Sequence, residues 1–280
     1  MKFIYYFFSI LPLKLLYVLS DLMSFLLKKF YRKNVVKKNL INSFPEKNDN
    51  EINNIYNDFY KNLCDLFVEV IKAYTITSKE IKKRVIIENY EEIDKVIKNE
   101  KKPIVILATH QCNWEWLLLA VGAYFRRNFV CSYKKLSNKT FDEIMLKTRS
   151  KFGIKMIEAK ESVTYLNKNL NKLEIVALAA DQSPRIDMKV YWQKLLNQET
   201  AFYRGIELLP KRFKSKVFFI SMRRSIRGIY NVRLINLDSP PYELKKSEIL
   251  PKYVDFLEKE IYKNPSDWLW SHKRWKVNKR

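Results

Sequence analysis

The sequence predicts an α/β fold: a mostly parallel central sheet covered by helices on both faces, with a hydrophobic, membrane-associated helix at the N-terminus. Three observations carry this reading. The runs IVILAT (104–109) and EIVALAAD (174–181) are continuously apolar, as expected of parallel strands buried on both faces. Stretches of helical periodicity alternate with such runs along the chain. Residues 3–27 read FIYYFFSILPLKLLYVLSDLMSFLL, about the length a helix needs to cross a hydrocarbon core.

The N-terminal run contains Pro12, Lys14 and Asp21, and Lys28, Lys29, Arg32, Lys33, Lys37 and Lys38 follow it. No small-residue cleavage site marks it as a secretory leader. Two membrane readings stay open, a spanning anchor and a helix lying in the interface, beside a buried core helix. In either membrane reading the basic cluster holds the body on the cytoplasmic face. Residues 1–30 are therefore expected as an anchor or interfacial helix and 31–280 as the main domain.

After the basic cluster, residues 50–74 repeat Ile52, Ile55, Phe59, Leu63, Leu66, Phe67, Val70 and Ile71 at helical spacing. Tyr90 to Asn99 is a shorter amphipathic helix before Pro103. The run IVILAT leads to a helix from Trp114 to Phe125. Next come strand 128–133, helix Thr140 to Phe152, strand 155–159 and helix Val163 to Leu173. Strand 174–181 opens a polar loop, followed by helix Phe202 to Phe213. Strands 216–225 and 229–237 form an antiparallel pair through an Arg227-Gly228 turn, and helix Ser247 to Tyr262 precedes an aromatic-basic tail.

The formal charge of +23 admits nucleic acid, an anionic membrane surface or acidic soluble molecules as partner, or a background compositional bias in which Lys, Asn and Ile are abundant. No helix-turn-helix, zinc-finger or aromatic RNA-binding motif supports nucleic acid. With 4 glycines, phosphate-cradling Gly-rich loops are not expected. The 3 cysteines form no C-x-x-C pair, and the 2 histidines, His110 and His272, lie far apart, so neither a disulfide framework nor a metal site is expected.

His110 follows the apolar strand directly, in THQCNWEW, where open α/β sheets place their ligands. Asn113 is a candidate helix N-cap, which puts Glu115 in the first helical turn. The chain can fold Glu115 back toward the imidazole, giving a general base with a carboxylate to orient it and stabilise its cation. The alternative is a loop histidine beside an ordinary capping glutamate. Cys112 invites a Cys-His nucleophile, but sequence neighbours rarely have that geometry.

The segment IVILATHQCNWEW resembles the H-x-x-x-x-E block of the bacterial lysophospholipid acyltransferase superfamily, in particular the lauroyl and myristoyl acyltransferases that complete lipid A. KTRSKFGIKMI around Arg149, ALAADQSP around Asp181, RKNVVKKNLINSFPE (32–46) and DWLWSHKRWK (267–276) resemble further blocks of that family in the same order. The loop after Asp181 departs from the family pattern, which bears on the acceptor more than on the chemistry.

The resemblance implies a membrane-associated acyltransferase moving a fatty acyl chain from an acyl thioester to a lipid hydroxyl. His110 would be the general base and Glu115 would orient it. Arg149 would bind a phosphate, and Asp181 would pair with Arg149 or substrate unless it caps a helix. Arg185 and Arg204 are weaker anion-binding candidates. The donor would be acyl carrier protein or acyl-coenzyme A, with no cofactor and no metal. The acceptor implied is a lipid A precursor, with aminolipids, glycolipids and lysophospholipids as alternatives, and the place of action is the cytoplasmic face of the inner membrane. A non-enzymatic basic binder of membrane or nucleic acid is the reading from a different class. The aromatic-basic tail suits a membrane interface or packs back on the body, with His272 structural.

Overall fold

A computed structural model describes residues 2–243 and 248–277. The apolar N-terminal run, expected as one helix, is two: α1 (Lys2–Ile10) and α2 (Leu13–Phe30), bent by 114° about Leu11 and Pro12. Proline lacks the N–H a continuing helix needs and pushes the residue before it out of helical geometry. Among the described residues no single helix is long and apolar enough to cross a membrane; this bent pair passes that test only when taken together.

The remaining helices are α3 (Lys33–Ser43), α4 (Asp49–Ala73), α5 (Ser78–Arg84), α6 (Tyr90–Asn99), α7 (Trp114–Phe125), α8 (Lys139–Arg149), α9 (Ser162–Asn169), α10 (Gly205–Phe213) and α11 (Ile249–Lys263). The strands are β1 (Val85–Ile87), β2 (Ile104–Ala108), β3 (Phe129–Tyr133), β4 (Ile154–Glu158), β5 (Ile175–Ala179), β6 (Val190–Leu195), β7 (Gln198–Tyr203), β8 (Val217–Ile226) and β9 (Ile229–Asp238). They form a 7-stranded sheet in the order β1-β9-β8-β2-β5-β3-β4, with β6 and β7 as a separate hairpin. Every pairing in the large sheet is parallel except β8 with β9. That antiparallel pair turns at Arg227-Gly228, as expected, with Gly228 at φ 77° supplying the left-handed residue of the turn.

The two-faced burial read from the apolar runs is present. Along β2, Val105 and Leu107 enter one core, shared with Leu63, Leu66, Phe202 and Tyr253, while Ile104 and Ile106 enter the other, shared with Trp116, Leu119 and Tyr230. Thus α10 and α11 cover one face, α6 and α7 the other, and α4 reaches both. Gly122 lets α7 sit close to the sheet, since a Cβ there would lie 2.7 Å from Ile154. Residues 2–30 do not pack as a separate body: Leu13 and Leu16 on α2 are buried in the second core. Ser20 Oγ donates to Asp65 on α4 (2.7 Å), and Tyr17 donates to Glu69 (2.6 Å).

Several expectations need correction. The loop after Asp181 contains the β6–β7 hairpin, and Phe202 and Tyr203, expected to begin a helix, belong to β7; α10 starts at Gly205. The short elements α5 and β1 went unread in the sequence. Ser247, the expected start of the last helix, lies outside the described residues, and α11 begins at Ile249.

Candidate active site

The strands β2 and β5 are parallel neighbours in the register Ile104↔Ile175 through Ala108↔Ala179. Carried two residues past the strand ends, that register sets His110 opposite Asp181. The pairing is closed by hydrogen bonds: the His110 backbone N–H donates to Asp181 Oδ2 (2.8 Å) and its Nδ1 lies 2.6 Å from Asp181 Oδ1. The Trp268 indole donates to the same Oδ2 (2.8 Å). Burial of Asp181, 2% exposed, opposes its ionisation. The adjacent His110 ring, its backbone amide and the Trp268 indole outweigh that penalty and hold the carboxyl below the usual carboxylate range. An ionised Asp181 takes the Nδ1–H of His110, which leaves Nε2 as the basic nitrogen.

Glu115, expected to orient His110, is bonded instead to another partner. Its carboxylate is taken by Arg149, which donates from Nε to Oε2 (2.8 Å) and from Nη2 to Oε1 in a side-on pair. The first turn of α7 thus presents Glu115 to Arg149 at the end of α8. Burial alone would weaken the Arg149 charge, but the paired Glu115 holds the guanidinium firmly protonated. Asp181, expected to pair with Arg149 or substrate, pairs with His110. The structure therefore sorts the four central candidates into two pairs, Asp181 with His110 and Glu115 with Arg149.

The expected N-cap is present: Asn113 Oδ1 accepts from the Trp116 N–H (2.8 Å). Its Nδ2 donates to Glu69 (2.6 Å), a fully buried carboxylate that also accepts from Tyr17 and Tyr230. Burial pushes the Glu69 carboxyl up despite these donors. Through Glu69 the first turn of α7 is tied to α2, α4 and β9. The ring of Trp114 stands edge-on to the His110 imidazole, with centroids 5.2 Å apart.

The aromatic-basic tail packs back on the body: Trp268, Trp270 and Arg274 are buried. Its backbone lines the His110 loop, with the Leu269 N–H donating to the His110 carbonyl (3.1 Å) and the Cys112 N–H to that of Asp267 (2.9 Å). His272 is half-buried in this arrangement. Burial lowers its pKa to about 4, so at neutral pH its Nε2 accepts the Ser183 N–H (3.0 Å). Trp268 and Trp114 thus border the pair although sequence reading gave them no place in it; Trp114 lies only four residues after His110, whereas the contact of Trp268 with Asp181 has no local sequence signal. Beside Trp114 a cavity of about 160 Å³ opens among Tyr31, Arg32, Leu66, Phe67 and Leu269.

Arg185 and Arg204 are not brought into this cluster. Arg185 is exposed and pairs with Asp187 (3.2 Å), and Arg204 lies over the Tyr191 ring (5.1 Å). Among the described residues neither bonds to His110, Glu115, Arg149 or Asp181, and no group of His, Cys, Asp and Glu could hold a metal ion.

Cys112 is not placed as a nucleophile. Its thiol is buried and donates to the Met222 carbonyl (3.3 Å), and burial pushes its pKa well up. Burial also pushes the Cys64 and Cys131 thiols up to about 12. Thiolates are the reactive form, so iodoacetamide at neutral pH should leave activity unchanged. Inactivation in step with alkylation of Cys112 would reverse that assignment.

The chain matches the family model of the bacterial lipid A biosynthesis acyltransferases over residues 2–277. No curated protein matches it.

Proposed function

The chain belongs to the bacterial lipid A biosynthesis acyltransferase family, and on that premise we propose how it acts. It moves a fatty acyl chain from an acyl thioester, on acyl carrier protein or coenzyme A, to a hydroxyl of a lipid acceptor, with a lipid A precursor as the first candidate. It works at the cytoplasmic face of the inner membrane, with an anionic surface beneath it. The observation that carries the reading is the Asp181–His110 pair, a buried carboxylate with three donors at the carboxyl ends of parallel strands.

His110 Nε2 removes the acceptor hydroxyl proton as the oxygen attacks the thioester carbonyl. The carbon–sulfur bond then breaks, and the proton passes to the departing thiolate. Asp181 holds the ring in the required tautomer and stabilises the imidazolium. No covalent acyl-enzyme is needed. Arg149, fixed by Glu115 through Nε and Nη2, offers Nη1 to a phosphate of donor or acceptor. The cavity beside Trp114 takes the apolar end of a substrate. Arg185 and Arg204 act as outer contacts for anionic groups. A basic binder acting by charge alone has no use for a buried Asp-His pair, which disfavours that alternative.

The test is transfer in detergent from acyl carrier protein and coenzyme A thioesters to a lipid A precursor, with lysophospholipid and aminolipid acceptors alongside, read by mass spectrometry. A mass gain of one acyl group on a lipid hydroxyl is expected; no transfer to any of these lipids overturns the proposal. If the +23 charge steers an acidic carrier, activity should fall as ionic strength rises past about 0.15 M, where screening acts within roughly 8 Å. A flat salt response would assign the charge to composition.

A further inference from the structure

We infer that α1 and α2 form an in-plane seat on one anionic leaflet and do not cross the bilayer. The inference rests on the membrane-bound reading above and specifies its geometry.

The two arms cannot form one span as they are packed. With 9 residues, α1 is about 14 Å long, less than half of a hydrocarbon core of roughly 30 Å. It leaves α2 at 114° and is held there: Tyr5 donates to the Val70 carbonyl of α4 (3.0 Å), and Lys2 pairs with Glu143 on α8.

The helix α2 is long enough to reach most of the way across, but one side of it is joined to the body. Leu13, Leu16 and Ser20 are buried against it. Asp21 pairs with Arg227 (2.7 Å), which also binds Asp65. A perpendicular α2 would drag this charge network toward the bilayer centre, where ionised groups are least tolerated. Lying flat, the helix keeps the network at the water side.

The opposite side of α2 is a stripe at helical spacing, Leu15, Val18, Leu22 and Phe25, each more than half exposed. On α1, Phe3 is 80% and Ile4 61% exposed, so both arms present apolar side chains to the outside. Scattered apolar residues on a surface need no explanation, but exposed apolar residues concentrated on two successive helices do. Exposed cations follow it at Lys29, Arg32, Lys33 and Lys37. An apolar stripe edged by lysine and arginine complements an anionic headgroup layer over acyl chains. The far end of α2 also carries Tyr31 and Arg32, which line the cavity beside Trp114.

Flotation of the purified full-length protein with phosphatidylcholine vesicles, with and without phosphatidylglycerol, reads the charge requirement. Binding should rise by about tenfold or more with the anionic lipid, given several cations near the surface. Leu22→Glu should abolish flotation while circular dichroism stays unchanged. Equal binding to both vesicles, or full flotation of a folded L22E protein, overturns the seat.

The orientation is read without disturbing the apolar face. Lys2→Cys and Asn34→Cys, placed on the two sides of the bent pair, are treated with a membrane-impermeant maleimide. Both should label in inverted inner-membrane vesicles and neither in intact spheroplasts. Labelling of Lys2→Cys from the opposite side to Asn34→Cys means a span and overturns the inference. Neither readout uses acyl transfer, so a protein that seats without transferring refutes the proposed function alone. One that transfers but spans refutes the seat alone.

Discussion

Replacing His110 by alanine should lower kcat by about 10²-fold or more, the range expected when a general base is lost. A lipid hydroxyl is a weak nucleophile unless its proton leaves during attack, so the loss should fall on turnover and leave binding nearly intact. Asp181→Asn should act in the same direction, because an amide cannot stabilise the imidazolium and can present the wrong tautomer partner to Nδ1. The double variant should be little worse than either single one, since the two residues act as a unit. Trp268→Phe, which removes one donor from Asp181 Oδ2, should cost less than Asp181→Asn. The measurement is steady-state transfer to the lipid hydroxyl, with circular dichroism to confirm folding. A folded His110→Ala protein with near-normal turnover would sink the mechanism.

The second large effect is on stability as well as turnover. Arg149→Ala leaves Glu115, whose side chain is 8% exposed, as a buried carboxylate without its partner. Breaking such a pair from one side costs about 3–5 kcal/mol, a large share of a typical total of roughly 5–15 kcal/mol. Arg149→Lys should recover only part of this, because an ammonium cannot reproduce the side-on pair from Nε and Nη2. Replacing both partners, as Glu115→Leu with Arg149→Met, should restore much of the stability measured by denaturant unfolding. Activity then separates two roles. If Arg149 binds a substrate phosphate, the stable double variant stays inactive. If the pair only holds α7 against α8, activity returns with stability, and the phosphate role is lost.

Much of the fold was legible because the physical signals are local. Tyr90–Asn99 and Trp114–Phe125 have the expected bounds, since amphipathic spacing or an apolar run between turn residues defines each helix without outside help. The strands β2 and β5 were legible because burial on both faces leaves an unbroken apolar run. The β6–β7 hairpin was not. Its strands are short and half polar, and its turn places Leu196 and Asn197 at φ 47° and 64°, a conformation in which leucine is no signal. The bend between α1 and α2 was signalled by Pro12, but the composition of the run alone could not say whether it breaks or merely kinks.

The site divides in the same way. By itself the sequence determined most of the elements and the place of the candidate residues in them: His110 after a buried strand, Asn113 as an N-cap, Asp181 at a second strand end, and a family resemblance running from the early basic stretch to the tail. Only the tertiary structure decided the partners. Reading along the chain paired His110 with Glu115, five residues away, because proximity in sequence is the only distance a sequence displays. The register of β2 on β5 instead brings Asp181 to His110 across 71 positions, and the packing of α8 on α7 gives Glu115 to Arg149. Trp268 likewise reads equally as an interfacial aromatic or as part of a tail packed on the body until the tail pairs with the His110 loop at Gln111 and buries the indole on Asp181. Strand and helix propensities arise within a few residues, whereas hydrogen bonds between side chains follow from sheet register and layer packing. Those depend on contacts among segments remote in the chain, which no local pattern records.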